Sequence, residues 1–339
     1  MHEPPSDLPD ATLRAWVRTR YALDGVELTF LPLGHDALVW VYRVRTSADE
    51  RYFLKVRRGT PDEASLRIAR ALHDGGVAGV VAPLPTAQGA LWAATAGEYT
   101  LALYPFVAGA TGRERGLSAR QWRDYGALLR QVHDAPITPA LAGIMRRETF
   151  SPAGSAPIRR LDAHLAGQTF AEPVARDFAA FWAAQRETIG TLLARAEASG
   201  QRLARAAPPL ILCHADIHTG NVLLDDDGRV WFVDWDEATL APRERDLMFV
   251  VGGISATLVG PEEEAHFFAG YGPTAIEPLA LAYYRYAWAT GDIGAFGEEI
   301  LFRPDLGALS RRAAFTLFTG LFKPGEIVAL ALASPERPT

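Results

Sequence analysis

One short stretch of this 339-residue chain concentrates residue types that phosphoryl chemistry uses. The apolar run Leu210-Ile211-Leu212-Cys213 leads into His214-Ala215-Asp216-Ile217-His218-Thr219-Gly220-Asn221, and Val222-Leu223-Leu224 leaves it. Thirteen residues after Asn221 comes Asp234, at the end of Val230-Trp231-Phe232-Val233. The connection Asp225-Asp226-Asp227-Gly228 has hairpin-turn composition, which would bring Asn221 and Asp234 to one end of paired strands. Transfer of a phosphoryl group needs a carboxylate facing the incoming hydroxyl. It also needs a carboxylate and an amide oxygen to hold Mg2+ against the phosphates. Hard oxygen donors suit Mg2+ better than zinc. Cys213, His214 and His218 could be read as zinc ligands, but a cysteine directly before His214 is expected to point into the core with its strand.

A second candidate group lies near the N-terminus. The chain has two lysines, Lys55 and Lys323, against 32 arginines. Lys55 sits in the strand text Tyr52-Phe53-Leu54-Lys55-Val56, where a lysine kept in an arginine-rich chain looks selected as a slim point charge. Thr60-Pro61-Asp62-Glu63 has the form of a helix start, with Thr60 as the cap, Pro61 in the first position and Glu63 completing a capping box.

The spacing His214-x-Asp216-x-x-x-x-Asn221 is that of protein-kinase catalytic loops. With His218 included, it resembles the aminoglycoside phosphotransferase and choline kinase family, and the resemblance extends over roughly residues 25–325. The resemblance implies an O-phosphotransferase using ATP, with GTP as the alternative donor, and Mg2+. Carried over residue by residue, it makes Asp216 catalytic, Asn221 and Asp234 metal ligands, and His214 and Asp246 supports of the loop. It brings Lys55 to the phosphates, makes Glu63 the ion-pair partner of Lys55, and lays the sparse loop around Gly34 over the phosphates. It places the purine edge against the carbonyl of Pro105 and the N–H of Val107. Asp236, Glu237, Trp288 and Asp292 are candidates for contacts with a cationic acceptor; for the aromatics, a place in the core is the competing reading. The text around Cys213–His218, Asp234-Trp235-Asp236 and 242–249 is most similar to spectinomycin phosphotransferases within the family. A metabolic kinase of the choline, homoserine, fructosamine or methylthioribose type stands as the alternative, and an inactive nucleotide-binding module as a second. A protein-directed kinase is disfavoured, because Ala-Pro-Glu does not follow Asp234.

The elements that must position these groups are strands first and helices after, an α+β order. A helix is expected over 10–22 and strands over 26–31, 38–45 and 51–56. A helix then ends near Asp74, before Gly75-Gly76, and strand-like runs follow at 80–84, 90–94 and 99–104. This gives an antiparallel sheet of about five strands with one helix after the third. Helices are expected over 121–134, 157–165 and 173–206, a β-rich patch over 210–233, and mainly helix to 332. The implied architecture is a two-lobed, protein-kinase-like fold. It has a nucleotide-binding lobe over 1–104, a hinge at 105–109 and a mainly helical lobe over 110–339.

Composition fits that reading, with 49% hydrophobic and 22% charged residues. A net charge of −6 argues against nucleic acid. From Asp234 onward there are 15 acidic and 8 basic residues, which suits a cationic small molecule or a solvated acidic surface. The longest apolar run, 248–259, is too short to span a bilayer, and the first residues lack a secretion-signal pattern. One cysteine excludes an internal disulfide. The expectation is a cytoplasmic protein, monomeric or weakly dimeric, with no membrane partner.

Overall fold

A computed structural model describes residues 3–34, 38–95, 97–303 and 306–335. In chain order the first elements are α1 (Asp10–Tyr21), β1 (Glu27–Leu31), β2 (Val39–Arg45), β3 (Arg51–Arg58), α2 (Glu63–Asp74), β4 (Ala93–Ala94), β5 (Tyr99–Pro105) and β6 (Gly109–Thr111). Then come α3 (Gly112–Arg115), α4 (Ala119–Asp134), α5 (Pro139–Ala142), α6 (Ser155–Leu165), α7 (Pro173–Ala206), β7 (Ile211–Cys213), β8 (Val222–Asp225) and β9 (Val230–Phe232). The last are β10 (Thr239–Ala241), α8 (Glu244–Leu247), α9 (Pro261–Tyr271), α10 (Pro278–Phe302), α11 (Ala308–Gly320) and α12 (Ile327–Leu332).

The chain forms two compact units, one of Met1–Arg146 with Thr219–Ala238, the other of Arg147–His218 with Thr239–Thr339. The expected division into 1–104, 105–109 and 110–339 is one of binding roles and remains a proposal.

The first unit contains the expected five-stranded antiparallel sheet, in the order β1-β2-β3-β5-β4, with α2 after the third strand. Alternation in β2 buries Tyr42 and Val44 while Arg43 and Arg45 face out, and α1 lays Leu13 and Val17 on the same core. Two expectations change. Helix α2 is capped by Asp62, whose Oδ1 accepts the Ala64 N–H at 3.0 Å, so Thr60 lies outside the helix. An aspartate caps as well as a threonine and sits directly before the first helical residue. The run 80–84, interrupted by Pro83, is not a strand of this sheet. The Val81 N–H donates to the Phe232 carbonyl (3.1 Å) and the Phe232 N–H to Gly79 (2.6 Å), so the run lies along β9.

Strands β6, β8 and β9 make a separate three-stranded sheet in this unit. The expected hairpin turn is present. Asp225 Oδ1 accepts the N–H groups of Asp227 and Arg229, and Gly228 takes a left-handed conformation (φ 76°). At Gly109 in β6 a Cβ would stand 1.9 Å from the Leu224 carbonyl oxygen, so the close pairing with β8 requires glycine.

The second unit is mainly helical. Helix α7, 34 residues long, packs on the 25-residue α10 around Phe178, Trp182, Ala282, Tyr286 and Phe318. Both helices begin with proline after a glutamate that accepts a backbone N–H of the first turn. The pair β7–β10, with Cys213 opposite Thr239, is the platform from which the His214–His218 segment leaves. No helix among the described residues is long and apolar enough to cross a membrane.

Candidate active site

In the second unit, Asp246 is completely buried and accepts two backbone N–H groups, from His214 at 2.8 Å and from Ala215 at 2.6 Å. Ala215 is left-handed (φ 68°), a conformation costly for a residue with a Cβ, and it needs outside support. The Asp246 carboxylate supplies it. His214 is also fully buried, and its Nδ1 accepts the Asp216 N–H at 3.4 Å. The loop is thus fixed through its own backbone, and Asp216 is left about a quarter exposed, with His218 Nε2 3.6 Å from its Oδ1. The Cys213 thiol turns to the carbonyls of Ala241 and Pro242, and burial pushes its pKa well up. Such a thiol is a poor metal ligand.

In the first unit, the Val233 N–H donates to the Asn221 carbonyl at 3.1 Å, so Asn221 and Asp234 do share one end of the β8–β9 hairpin. Asp234 is itself left-handed (φ 62°, ψ 68°) and opens the 3-10 turn Trp235–Glu237. The Lys55 Nζ lies 3.2 Å from Asp234 Oδ1 and 2.6 Å from Asp236 Oδ2. Burial works against the lysine charge, but Asp234 and Asp236 outweigh it and hold the pKa above the ordinary lysine range. The residues fit a divalent cation. Asn221, Asp234 and Asp236 bring hard oxygen donors, and the two carboxylates already gather a cationic group.

Glu63 is not the partner of Lys55. It pairs with Arg67 one turn along α2 at 2.5 Å, whereas Lys55 is engaged by Asp234 and Asp236. A surface glutamate with an arginine four residues on has a nearer cation. Glu237 lies 3.4 Å from Arg146 Nη1. Pro105 ends β5, exposed, and Val107 is half-buried in the irregular stretch before β6. Gly34 is left-handed (φ 89°) with open space where a Cβ would stand. The loop residues His35, Asp36 and Ala37 lie outside the described residues.

On α10, Tyr283, Tyr284 and Tyr286 are buried and belong to the core. Trp288 is half-buried, edge-on to Phe249 (5.0 Å), with the Arg245 guanidinium 5.5 Å from its ring centre. One turn on, burial pushes the Asp292 carboxyl up to about 7, while a hydrogen bond from Trp288 pulls the other way. Sequence reasoning assigned no role to Arg146, whose contacts are 90 and 91 residues away in the chain.

Residues 29–285 match the phosphotransferase enzyme family. The chain belongs to that family. It is a small-molecule kinase by this membership, and the resemblance drawn from the catalytic stretch is borne out. The chain is similar to the crystal structure of a spectinomycin phosphotransferase, APH(9)-Ia, in complex with ADP and spectinomycin. The two are 29% identical with a TM-score of 0.89, covering 97% of this chain and 99% of that one. An AMP-bound complex of the same enzyme superposes with a TM-score of 0.82 at 28% identity, covering 95% and 98%. An amicoumacin kinase, hAmiN, in complex with AMP-PNP, Ca2+ and Ami shares the fold, with a TM-score of 0.63 and 17% identity over 95% and 97% of the chains. No curated protein matches the chain. The α+β, kinase-like architecture expected from the order of elements is the one these structures share.

Proposed function

We propose that this kinase transfers the terminal phosphate of ATP to a hydroxyl of spectinomycin or a closely related cationic aminocyclitol. The likeness that carries this reading is 29% identity over 97% of the chain to an enzyme solved with ADP and spectinomycin. GTP is the alternative donor. Asp216 orients the acceptor hydroxyl and takes up its proton as the O–P bond forms and the bond to the leaving diphosphate breaks. Its backbone is held by His214, whose own N–H is bound by Asp246, so the carboxylate is presented without reorganisation. Lys55 leaves Asp234 and Asp236 to neutralise phosphate oxygens, and Asn221 with Asp234 would hold Mg2+. Bound Mg2+ would supply charge neutralisation at the phosphates. The Pro105 carbonyl and the Val107 N–H meet the purine edge, while Gly34 flanks the phosphates. Asp292, ionised beside an acceptor ammonium, and the Trp288 ring recognise the cation.

The test is ADP release by the purified protein with Mg2+ and ATP, against spectinomycin, kanamycin, hygromycin, choline, homoserine and methylthioribose. Turnover dependent on spectinomycin is expected. Turnover with choline or homoserine and none with spectinomycin would overturn the acceptor assignment.

A further inference from the structure

Among the contacts of the Arg146 guanidinium in the first unit are three to separate residues. Its Nη2 donates to the Asp236 carbonyl, its Nη1 lies 3.4 Å from the Glu237 carboxylate, and its Nε lies 3.7 Å from Asp62 Oδ2. Asp62 is shared, because its other oxygen, Oδ1, caps α2 by accepting the Ala64 N–H. One planar side chain therefore joins the start of α2 to the turn that follows Asp234. Three partners in different directions suit the fixed fork of arginine, and a lysine ammonium could not serve them together.

We infer that Arg146 is a positioning residue that clamps the Trp235–Glu237 turn to the cap of α2 and so sets the Asp234 and Asp236 carboxylates for a divalent cation. The inference rests on the proposed reading of Asp234 as a metal ligand.

Two observations favour this over a solvated surface arginine. Asp234 occupies a left-handed conformation, which aspartate reaches more readily than most residues but still at some cost, so a contact that fixes the following turn helps to keep it there. A cavity of about 220 Å³ lies beside the turn, bordered by Lys55, Asp62, Ser65, Tyr104, Arg146 and Asp236, so the turn has room to shift if the clamp is lost. The Arg146 side chain is 46% exposed, and ion pairs at such a site contribute little to global stability. Its removal is therefore expected to act on metal binding more than on folding.

The experiment is an electron paramagnetic resonance titration of Mn2+ into the full chain with ADP present, alongside a thermal melt without metal. Arg146→Ala is expected to weaken Mn2+ about tenfold, as loss of a group that orients a ligand does. Its melting temperature is expected to stay within about 2 °C of the parent. Arg146→Lys should not restore the affinity. Asp62→Asn keeps the helix cap while removing the charge that faces Arg146, and should weaken Mn2+ by a smaller factor. In turnover, the half-saturating Mg2+ concentration rises and kcat recovers at high Mg2+. Unchanged Mn2+ affinity in Arg146→Ala, with Asp234→Ala abolishing Mn2+ binding, would overturn the clamp alone. Full Mn2+ binding by Asp234→Ala would overturn the metal assignment and the clamp with it.

Discussion

The two groups of candidate site residues, one in each unit, are held by opposite means. The Asp216 loop is fixed by a fully buried carboxylate, Asp246, that accepts two backbone N–H groups. The segment after Asp234 is held by ion pairs whose carboxylates are open to solvent, Lys55 with Asp234 and Asp236, and Arg146 with Glu237. A buried carboxylate bonded to peptide groups has nothing to exchange with and stays put. Ion pairs open to solvent can be redistributed when a multiply charged ligand arrives. On the proposed reading, rigidity falls to the group that would meet a hydroxyl, and adjustability to the groups that would receive phosphates and a metal.

The largest expected effect lies on the rigid side. Asp216→Asn should lower kcat by about 10²- to 10⁴-fold while the affinity for ATP, measured by calorimetry, stays near that of the parent. Undiminished turnover would remove Asp216 from the chemistry. The next comparison is between supports. Asp246→Ala strands two buried N–H groups at about 1–3 kcal/mol each. Glu237→Ala on the adjustable side should cost less than about 1 kcal/mol. Urea unfolding of both variants checks the contrast, and equal losses would break it.

A further effect, dependent on pH, concerns Asp292, a carboxylate of the second unit. Asp292 ordinarily titrates near 3.8, and burial raises it to about 7 in the folded chain. Between those values the folded protein keeps a proton that the unfolded chain has released, so stability falls as pH rises through that window. Asp292→Asn still accepts from Trp288 but cannot ionise. Its melting temperature should exceed that of the parent by about 3–6 °C at pH 8 and by less at pH 5. A gap that does not widen with pH would contradict the burial of this carboxyl.

Much of this was legible in the sequence because the decisive spacings are short. Asp216, Asn221 and Asp234 lie within one loop and one hairpin, and local turn chemistry is enough to bring the last two together. Lys55 stood out through the scarcity of lysine. What was not legible depends on contacts made at long range. Asp236, and not Glu63, faces Lys55, and it does so across 181 residues, for which no periodicity speaks. Glu63 lost that role to an arginine four residues away, and Thr60 lost the cap to Asp62. The tyrosines of α10 carried helical spacing but no mark of which side is covered, and their burial follows from packing on other helices.

The first unit is not a continuous piece of chain: its sheet lies in the first third, and residues 219–238 complete it. On a ribosome, the strand bearing Lys55 therefore emerges long before its counter-ions, which follow 179 and 181 residues later. The first unit therefore cannot finish folding as its N-terminal part is made. A synthesis pause or truncation before residue 232 would leave the Gly79–Val81 segment without Phe232 and Lys55 without its acids. Such an intermediate is a natural client for chaperones, and this kinase should show a late, all-or-none gain of protease resistance during synthesis.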